Sequence, residues 1–165
     1  MAKHIYLIRH AKSSWNQLGL RDHDRPLNKR GLRDAPQMAK KINALKFQMD
    51  HLISSSAKRA LQTATYFSDE FKLDTTIEKS IYHGDPSDYL ELIECLDDDF
   101  SHVAFLGHNP GLTYLVNDFS EDSIENIPTC GFCHLKCNIS SWSEVSTANT
   151  RLKKFLYPKM FSWAQ

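Results

Sequence analysis

The stretch HIYLIRHAKSS, residues 4–14, passes without a break from an apolar run into charged and hydroxyl side chains. Its first six residues are rich in strand-forming types, which predicts a buried strand over about residues 4–9. This strand would deliver Arg9 and His10 to its end. Such an end is either an ordinary exit of the chain to the surface or the presentation of a reactive imidazole to a substrate. The other strand ends decide between these two interpretations.

Strand and helix signals alternate along the chain from its start to about residue 118. Asn28 is a good N-cap for a first helix, whose apolar periodicity continues through Pro36. Three further helices are predicted: one over about residues 57–71, one within DPSDYLELIECLDDD (85–99) and one within HNPGLTYLVNDF (108–119). Five further strands are predicted within HLISSS (51–56), TTIEKSI (75–81) and HVAFLG (102–107), and around residues 130–139 and 151–157. The alternation predicts an α/β fold with a mostly parallel sheet, and the length predicts a single domain over residues 1–165.

The overall charge is balanced, with 20 Lys and Arg against 20 Asp and Glu. Nucleic-acid-binding domains usually carry a basic excess, so the balance argues against a nucleic-acid partner. No apolar run reaches 18 residues, which argues against a membrane span. The five apolar or near-apolar residues between Lys3 and Arg9 are too few for a signal peptide. We therefore predict a cytoplasmic protein, with a monomer as the default state.

Three of the four cysteines lie in CGFCHLKC, residues 130–137. Cys130, Cys133 and Cys137 make a metal or redox-active cluster one hypothesis, and the pattern Cys-x-x-Cys-His also occurs at sites of haem attachment. The segment alternates, however, which places Cys130 and Cys133 on opposite sides of a strand, so they cannot share a metal without a turn. Small buried thiols on a strand are the simpler interpretation.

In an open α/β sheet, ligands bind outside the carboxyl ends of the strands, so we compared the residues that follow three predicted strands. These residues are Arg9, His10, Lys12 and Ser13 after the first strand, Ser54, Ser55, Ser56, Lys58 and Arg59 after the second, and Gly107, His108 and Asn109 after HVAFL, with Pro110 opening a helix. Two histidines, two arginines, several hydroxyls and a helix N-terminus would meet at one edge. The three segments contain no acidic residue, so the net-neutral chain predicts a local positive pocket.

This set of groups suits a phosphoryl ligand. Arginine offers a planar fork of donors that matches phosphate oxygens and keeps its charge at any working pH. A helix N-terminus adds free N–H groups and partial positive charge. Neighbouring cations disfavour the protonated imidazole, which leaves its lone pair available for attack on phosphorus. The sequence assigns no role in this pocket to Lys12 or Lys58.

The motifs resemble those of the histidine phosphatase superfamily, formerly grouped with the phosphoglycerate mutases. RHAKSSWN (9–16) resembles the family's Arg-His-Gly signature, with Ala11 in place of the usual Gly. The further matches are DRPLNKRG (24–31), SSSAKRALQTA (54–64) with Ala57 in place of Pro, and GHNPGL (107–112), while IPTCGFCHL (127–135) and FLYPK (155–159) resemble the closing segments of the short SixA-like phosphohistidine phosphatases. The resemblance covers nearly the whole chain. It implies a phosphoglycerate mutase-like three-layer sandwich, in which helices flank a mostly parallel central sheet.

Carried over to these positions, the resemblance implies that His10 is the catalytic nucleophile and becomes transiently phosphorylated. It also implies that three residues bind the phosphoryl oxygens and stabilise the transition state: Arg9, Arg59 and His108. Ser13 and Asn16 would be further contacts that bind or orient the phosphate. Water would then hydrolyse the phosphohistidine intermediate. The resemblance implies no metal and no cofactor.

The general acid is the point at which the chain departs from the family's pattern. Relatives of the mutase and acid-phosphatase types protonate the leaving oxygen with a Glu or an Asp. The corresponding stretch EKSIYHGDPSD (78–88) has no clear acid at the matching place; His83 is nearest by register, with Glu78 and Asp85 as neighbours. The absence of a strong acid fits a leaving group that departs more easily, such as the imidazole of phosphohistidine.

The leading hypothesis is therefore a phosphatase that dephosphorylates phosphohistidine on a protein through phospho-His10. The chain also lacks the insertions of the family's mutases. A phosphatase of a small-molecule phosphomonoester is the alternative within the same enzyme class. From other classes, a metal or redox protein built on CGFCHLKC and a catalytically silent binding module stay open. Metal analysis and activity assays distinguish them.

Overall fold

A computed structural model describes residues 2–165. In this range, six strands, β1 to β6, span Lys3–Arg9, His51–Ser54, Thr75–Ile77, His102–Gly107, Phe132–Cys137 and Thr150–Leu156. Four α-helices, α1 to α4, span Lys29–Ala44, Lys58–Phe71, Pro86–Glu94 and Gly111–Asp118. The predicted helices and strands are therefore present, with ends shifted by a few residues. Within the same described residues, no helix has the length and apolar character needed to cross a membrane.

The strands form a six-stranded sheet in the order β3-β2-β4-β1-β5-β6. The pairs β2–β3, β2–β4 and β1–β4 are parallel, whereas β5 runs antiparallel to both β1 and β6. Parallel neighbours need crossover connections, and α1, α2 and α3 lie in the connections between the first four strands. The predicted mostly parallel α/β sheet is confirmed, and its two antiparallel pairs, β1–β5 and β5–β6, lie toward one edge.

The helices cover both faces of the sheet, which gives the three layers that the resemblance implied. The central strand β1 is buried on both sides: Ile5 and Leu7 pack in the core layer that contains residues of α3 and α4, and Tyr6 and Ile8 pack in the layer that contains residues of α1 and α2. A strand that is covered on both faces has no polar side. This explains why HIYLIR reads as a continuous apolar run rather than an alternating one.

The N-terminus of α1 fixes the loop that follows β1. Asn28 caps the helix as predicted, because its Oδ1 accepts a hydrogen bond from the Gly31 N–H at 2.9 Å. The Asn28 N–H donates to the Lys12 carbonyl, also at 2.9 Å. A Cβ at position 31 would lie 2.2 Å from the same carbonyl oxygen, so only glycine allows this close approach. The residues just after β1 are therefore held against α1.

The cysteines of CGFCHLKC are divided between the two core layers. Cys133 and Cys137 pack in the layer of α3 and α4, whereas Cys130 packs in the layer of α1 and α2. Burial raises the pKa of Cys133 to about 12 and that of Cys137 to about 11, so both thiols stay protonated near neutral pH. The interpretation as small buried side chains is confirmed. A metal or redox site shared by the three thiols does not fit this arrangement.

Three histidines meet across neighbouring strands on one face of the sheet. The His4 Nδ1 and His134 Nε2 atoms are 2.8 Å apart, and the His4 and His102 rings stack with their centroids 4.7 Å apart. Burial lowers the pKa of His134 to about 4, with smaller contributions in the same direction from His4, His102 and Lys136. The folded protein therefore holds this ring neutral at pH values where a free imidazole takes up a proton.

We expect acid to destabilise the protein through His134. The unfolded chain binds a proton here below the ordinary pKa of 6.5, whereas the folded chain binds it only near pH 4. The free energy of unfolding therefore falls as the pH drops between these values and is fully retained above them. His134→Phe replaces the imidazole by an aromatic ring that does not titrate. Between pH 7 and pH 5, the free energy of unfolding of this variant should therefore fall by about 1 kcal/mol less than that of the wild type. Urea unfolding at both pH values measures this difference, and equal losses in both proteins would contradict it.

Candidate active site

A pocket of about 530 Å³ opens at the carboxyl ends of β1, β2 and β4. Ligands bind at this edge in open α/β sheets. The predicted site residues that line the pocket are Arg9, His10, Ser13, Arg59, His83, Asp85 and His108. The fold thus brings together the residues that follow β1, β2 and β4, as the sequence predicted. Lys12 also lies in the wall, whereas Lys58 lies outside it.

His10 presents one ring nitrogen to this pocket. Its Nδ1 lies 2.7 Å from the Ala11 carbonyl, and since a carbonyl only accepts, Nδ1 carries the proton and Nε2 keeps its lone pair. Arg59 Nε–H donates to that lone pair at 3.3 Å. Burial lowers the pKa of His10 to about 3; the Ala11 hydrogen bond opposes this shift, and the charges of Arg59 and Arg9 reinforce it. The ring is therefore neutral near pH 7, and burial contributes more to this than the cations invoked from the sequence.

Arg59 is held by several contacts at once. It lies in the first turn of α2, and besides its bond to His10, Nη1 donates to the Asp22 carbonyl at 2.7 Å and Nη2 donates to the Asp22 carboxylate at 3.0 Å. The helix itself is tied to the loop after β1, because the Ala11 N–H donates to Thr63 Oγ1 at 3.0 Å. The guanidinium is thus fixed beside Nε2 of His10.

His108 faces His10 across the pocket, with ring centroids 5.1 Å apart. Its Nδ1 lies 3.4 Å from Arg59 Nη2, a group that can only donate, so its Nε2–H is the donor to Ser55 Oγ at 2.7 Å. Burial lowers the pKa of His108 to about 2, and His10 and Arg59 add to this shift. His108 is therefore a second neutral imidazole, held in place by Ser55 and Arg59.

Arg9 supplies a buried cation with an unused donor. Its Nη1 donates to the Ile127 carbonyl at 2.8 Å. Its Nε is buried and has no hydrogen-bond partner within residues 2–165. A buried N–H without a partner is costly, and an anion in the pocket is a ligand that such a group suits. Arg9 and Arg59 together make the pocket positive.

Asp22 also lines the pocket beside Arg59, although no sequence motif pointed to it. Its carboxylate accepts from Tyr82 Oη at 2.5 Å and from Arg25 Nε at 3.1 Å, in addition to Arg59. Burial alone would raise the pKa of Asp22, but the hydrogen bonds from Tyr82, Arg59 and Arg25 outweigh it and hold that pKa well below its ordinary value. Arg25 in turn donates to Ser13 Oγ at 2.7 Å. An ionised Asp22 therefore orients two arginines.

Two of the predicted site residues are not brought to the pocket. Asn16 is exposed and outside the wall, because the loop turns back on itself where the Asn16 N–H donates to Ser14 Oγ. Glu78 is half-buried and also outside the wall, and its carboxylate accepts from the Ser80 N–H. Both placements have the same cause, because each residue lies in a local turn.

Comparisons with known proteins identify the family. The sequence model of the histidine phosphatase superfamily, branch 1, matches residues 5–83. An uncharacterized chloroplastic protein of Arabidopsis thaliana is 31% identical over 157 residues, which cover 87% of this chain and 71% of the relative. The residues matched by the family model include the loop after β1 and α2.

Solved structures give the same result for the fold. A SixA protein of Agrobacterium tumefaciens, assigned as a phosphohistidine phosphatase, superposes with a TM-score of 0.81 at 30% identity, over 94% of this chain and 98% of that one. A mycobacterial glucosyl-3-phosphoglycerate phosphatase superposes with a TM-score of 0.69 at 14% identity, over 92% and 97% of the two chains. The second likeness is one of fold alone.

Proposed function

The chain belongs to the histidine phosphatase superfamily, and we propose that this phosphatase removes the phosphoryl group from phosphohistidine on a protein by transferring it to His10 Nε2. The observation that carries the proposal is the geometry of His10. Its unprotonated Nε2 faces a pocket whose cations include Arg9 and Arg59, while its Nδ1–H is bound by the Ala11 carbonyl. An unprotonated nucleophile beside fixed cations is what attack on an anionic phosphoryl group needs.

In the first step, the His10 Nε2 lone pair forms a bond to phosphorus and the bond from phosphorus to the substrate's imidazole nitrogen breaks. The bonding electrons return to the substrate ring, which departs as neutral imidazole when its other nitrogen already carries a proton. The His10 ring becomes positively charged, and the Ala11 carbonyl stabilises that charge through Nδ1–H. Arg59 Nε–H, released from Nε2, is left to bind a phosphoryl oxygen together with Arg9.

In the second step, water attacks phosphorus and the bond from phosphorus to His10 Nε2 breaks. Its electron pair returns to Nε2, and the proton of the water leaves with inorganic phosphate or to solvent. Ser13, which lines the same pocket, is proposed to hold a phosphoryl oxygen through both steps. His108 is proposed to do the same once its Nε2–H turns from Ser55 to the phosphoryl group. The neutral His10 is thereby restored.

The lack of a carboxyl group suited to act as general acid supports phosphohistidine over a phosphate ester as the substrate. An alkoxide departs from phosphorus only with a proton donor, but hydrogen bonds from Tyr82, Arg59 and Arg25 keep Asp22 ionised against the effect of its burial. Asp85 caps α3, and its hydrogen bonds from Ser87 and Asp88 lower its pKa. Neither carboxylate is therefore suited to act as a general acid. A small phosphomonoester stays the alternative, because His83 lies in the wall and is a possible proton donor.

We expect the enzyme to prefer the phosphohistidine substrate. The test compares a protein phosphorylated chemically on histidine with a panel of small phosphate esters. The kcat/KM of the protein substrate should be higher by about 10²-fold, the lower end of what a general acid contributes to a reaction that needs one. Turnover of the esters alone would refute the proposed substrate. A parallel assay with a chelator tests metal independence, which stays a prediction, as do the cytoplasmic location and the monomeric state.

A further inference from the structure

Two exposed aromatic rings stand at the mouth of the pocket. Trp15, on the loop after β1, is 71% exposed, and Tyr114, on α4, is 59% exposed, yet both line the pocket that contains His10. Large aromatic side chains usually bury most of their surface in a folded protein. We refer to Trp15 and Tyr114 as the aromatic rim.

Trp15 is held in place although it is exposed. The Arg25 guanidinium lies 3.5 Å from the centre of the indole ring, a cation–π contact. Arg25 is itself fixed by Asp22 and by Ser13 Oγ. One face of the indole is therefore covered by Arg25, which leaves the other face and the ring edge available to a ligand. A ring fixed in advance loses little conformational freedom when a ligand binds.

We propose that the aromatic rim binds the planar ring of the leaving group and thereby selects substrates whose phosphoryl group is attached to an aromatic ring. The inference rests on the proposed function, in which that ring is the imidazole of phosphohistidine. In-line displacement places the leaving group on the far side of phosphorus from His10 Nε2. With the phosphoryl group against His10 and Arg59 at the base of the pocket, the departing ring points to the mouth, where the rim lies.

The chemistry of the ring fits the rim. Phosphohistidine reacts most easily when the nitrogen that does not carry the phosphoryl group is protonated, so its ring is then a planar cation. Aromatic faces attract such cations and stack on planar rings. Arg25 and Lys12 give this part of the wall positive charge, and the Asp22 carboxylate, 3.0 Å from Arg25, offsets part of it. The open indole face is therefore an acceptable site for a positively charged ring.

The test compares two substrates with the same phosphorus–nitrogen bond, free phosphohistidine and phosphoramidate, of which only the first has a ring. The ratio of their kcat/KM values measures recognition of the ring. Trp15→Ala and Tyr114→Ala should each lower this ratio by about three- to tenfold, the effect of losing one aromatic contact. Trp15→Phe should keep most of the wild-type ratio. Leu18→Ala is the matched control, since Leu18 lies in the same loop, is 96% exposed and is outside the wall.

Each result has a defined meaning. An unchanged ratio in Trp15→Ala and Tyr114→Ala, with wild type hydrolysing phosphohistidine, overturns the inference, and so does an equal loss in Leu18→Ala. If wild type hydrolyses esters but not phosphohistidine, the proposed function fails. Recognition of the ring by the rim is then measured as the ratio of kcat/KM values for phenyl phosphate and glycerol 2-phosphate, of which only the first has an aromatic ring. Thermal unfolding of each variant verifies that these surface substitutions leave the fold intact.

Discussion

Replacement of His10 by alanine is expected to abolish turnover, with a loss in kcat of about 10⁴-fold or more, because the covalent route through Nε2 disappears. His108 cannot replace it. The Nε2–H of His108 is bound to Ser55, and its Nδ1 faces Arg59 Nη2. The Nε2 of His108 therefore carries a proton, and its one lone pair, on Nδ1, does not occupy the position of the His10 Nε2 lone pair.

The wild-type enzyme should also trap phosphate on His10. Rapid quenching during turnover of a labelled substrate should give protein-bound phosphate that is lost in acid and stable in base, and His10→Ala should give none. His51→Ala is a suitable control, because it removes an imidazole that stacks on Phe100 outside the pocket. Full activity in His10→Ala, or equal labelling of the two variants, would contradict the mechanism.

The parallel part of the fold was accessible from the sequence because local signals there agree with the tertiary structure. Each of the first three strands in the chain is followed by helix signals, and Asn28 marks the start of α1. The directions of β5 and β6 were not accessible. They follow from the pairing of β5 with β1 and of β6 with β5, and the direction of a pairing leaves no periodic pattern in the chain.

The site was predictable to the extent that its residues follow strands. His10 and His108 come directly after β1 and β4, and Arg59 lies in the first turn of the helix that follows β2, so the parallel topology brings them together. Asp22 lies in a loop, and its partners Arg59 and Tyr82 are 37 and 60 residues away in the chain. Only the three-dimensional structure reveals that pairing. One contact of Asp22 did have a local signal in the sequence: Asp22 and Arg25 are three residues apart, a spacing at which they can form the ion pair seen in the structure.

Replacement of Arg59 by alanine should lower kcat/KM by about 10² to 10³-fold, as for the loss of one donor that stabilises charge in a transition state. The loss combines two effects. The pocket gives up a cation that would bind a phosphoryl oxygen, and the Asp22 carboxylate loses the partner that lies 3.0 Å away. With Arg25 as its one remaining cationic partner, the Asp22 carboxylate repels the phosphoryl group more strongly. Steady-state kinetics with phosphoramidate measure the loss without any contribution from ring recognition.

Arg59→Lys separates charge from geometry. The arginine donates through Nε to His10, through Nη1 to the Asp22 carbonyl and through Nη2 to the Asp22 carboxylate, all at the same time. A lysine ammonium keeps the charge but is a single point, so it cannot make these contacts in the fixed plane of a guanidinium. If geometry matters as the contacts indicate, Arg59→Lys should recover less than about one tenth of the wild-type kcat/KM. Near-complete recovery would mean that the pocket needs only a positive charge at this position, and the role assigned to the guanidinium fork would be wrong.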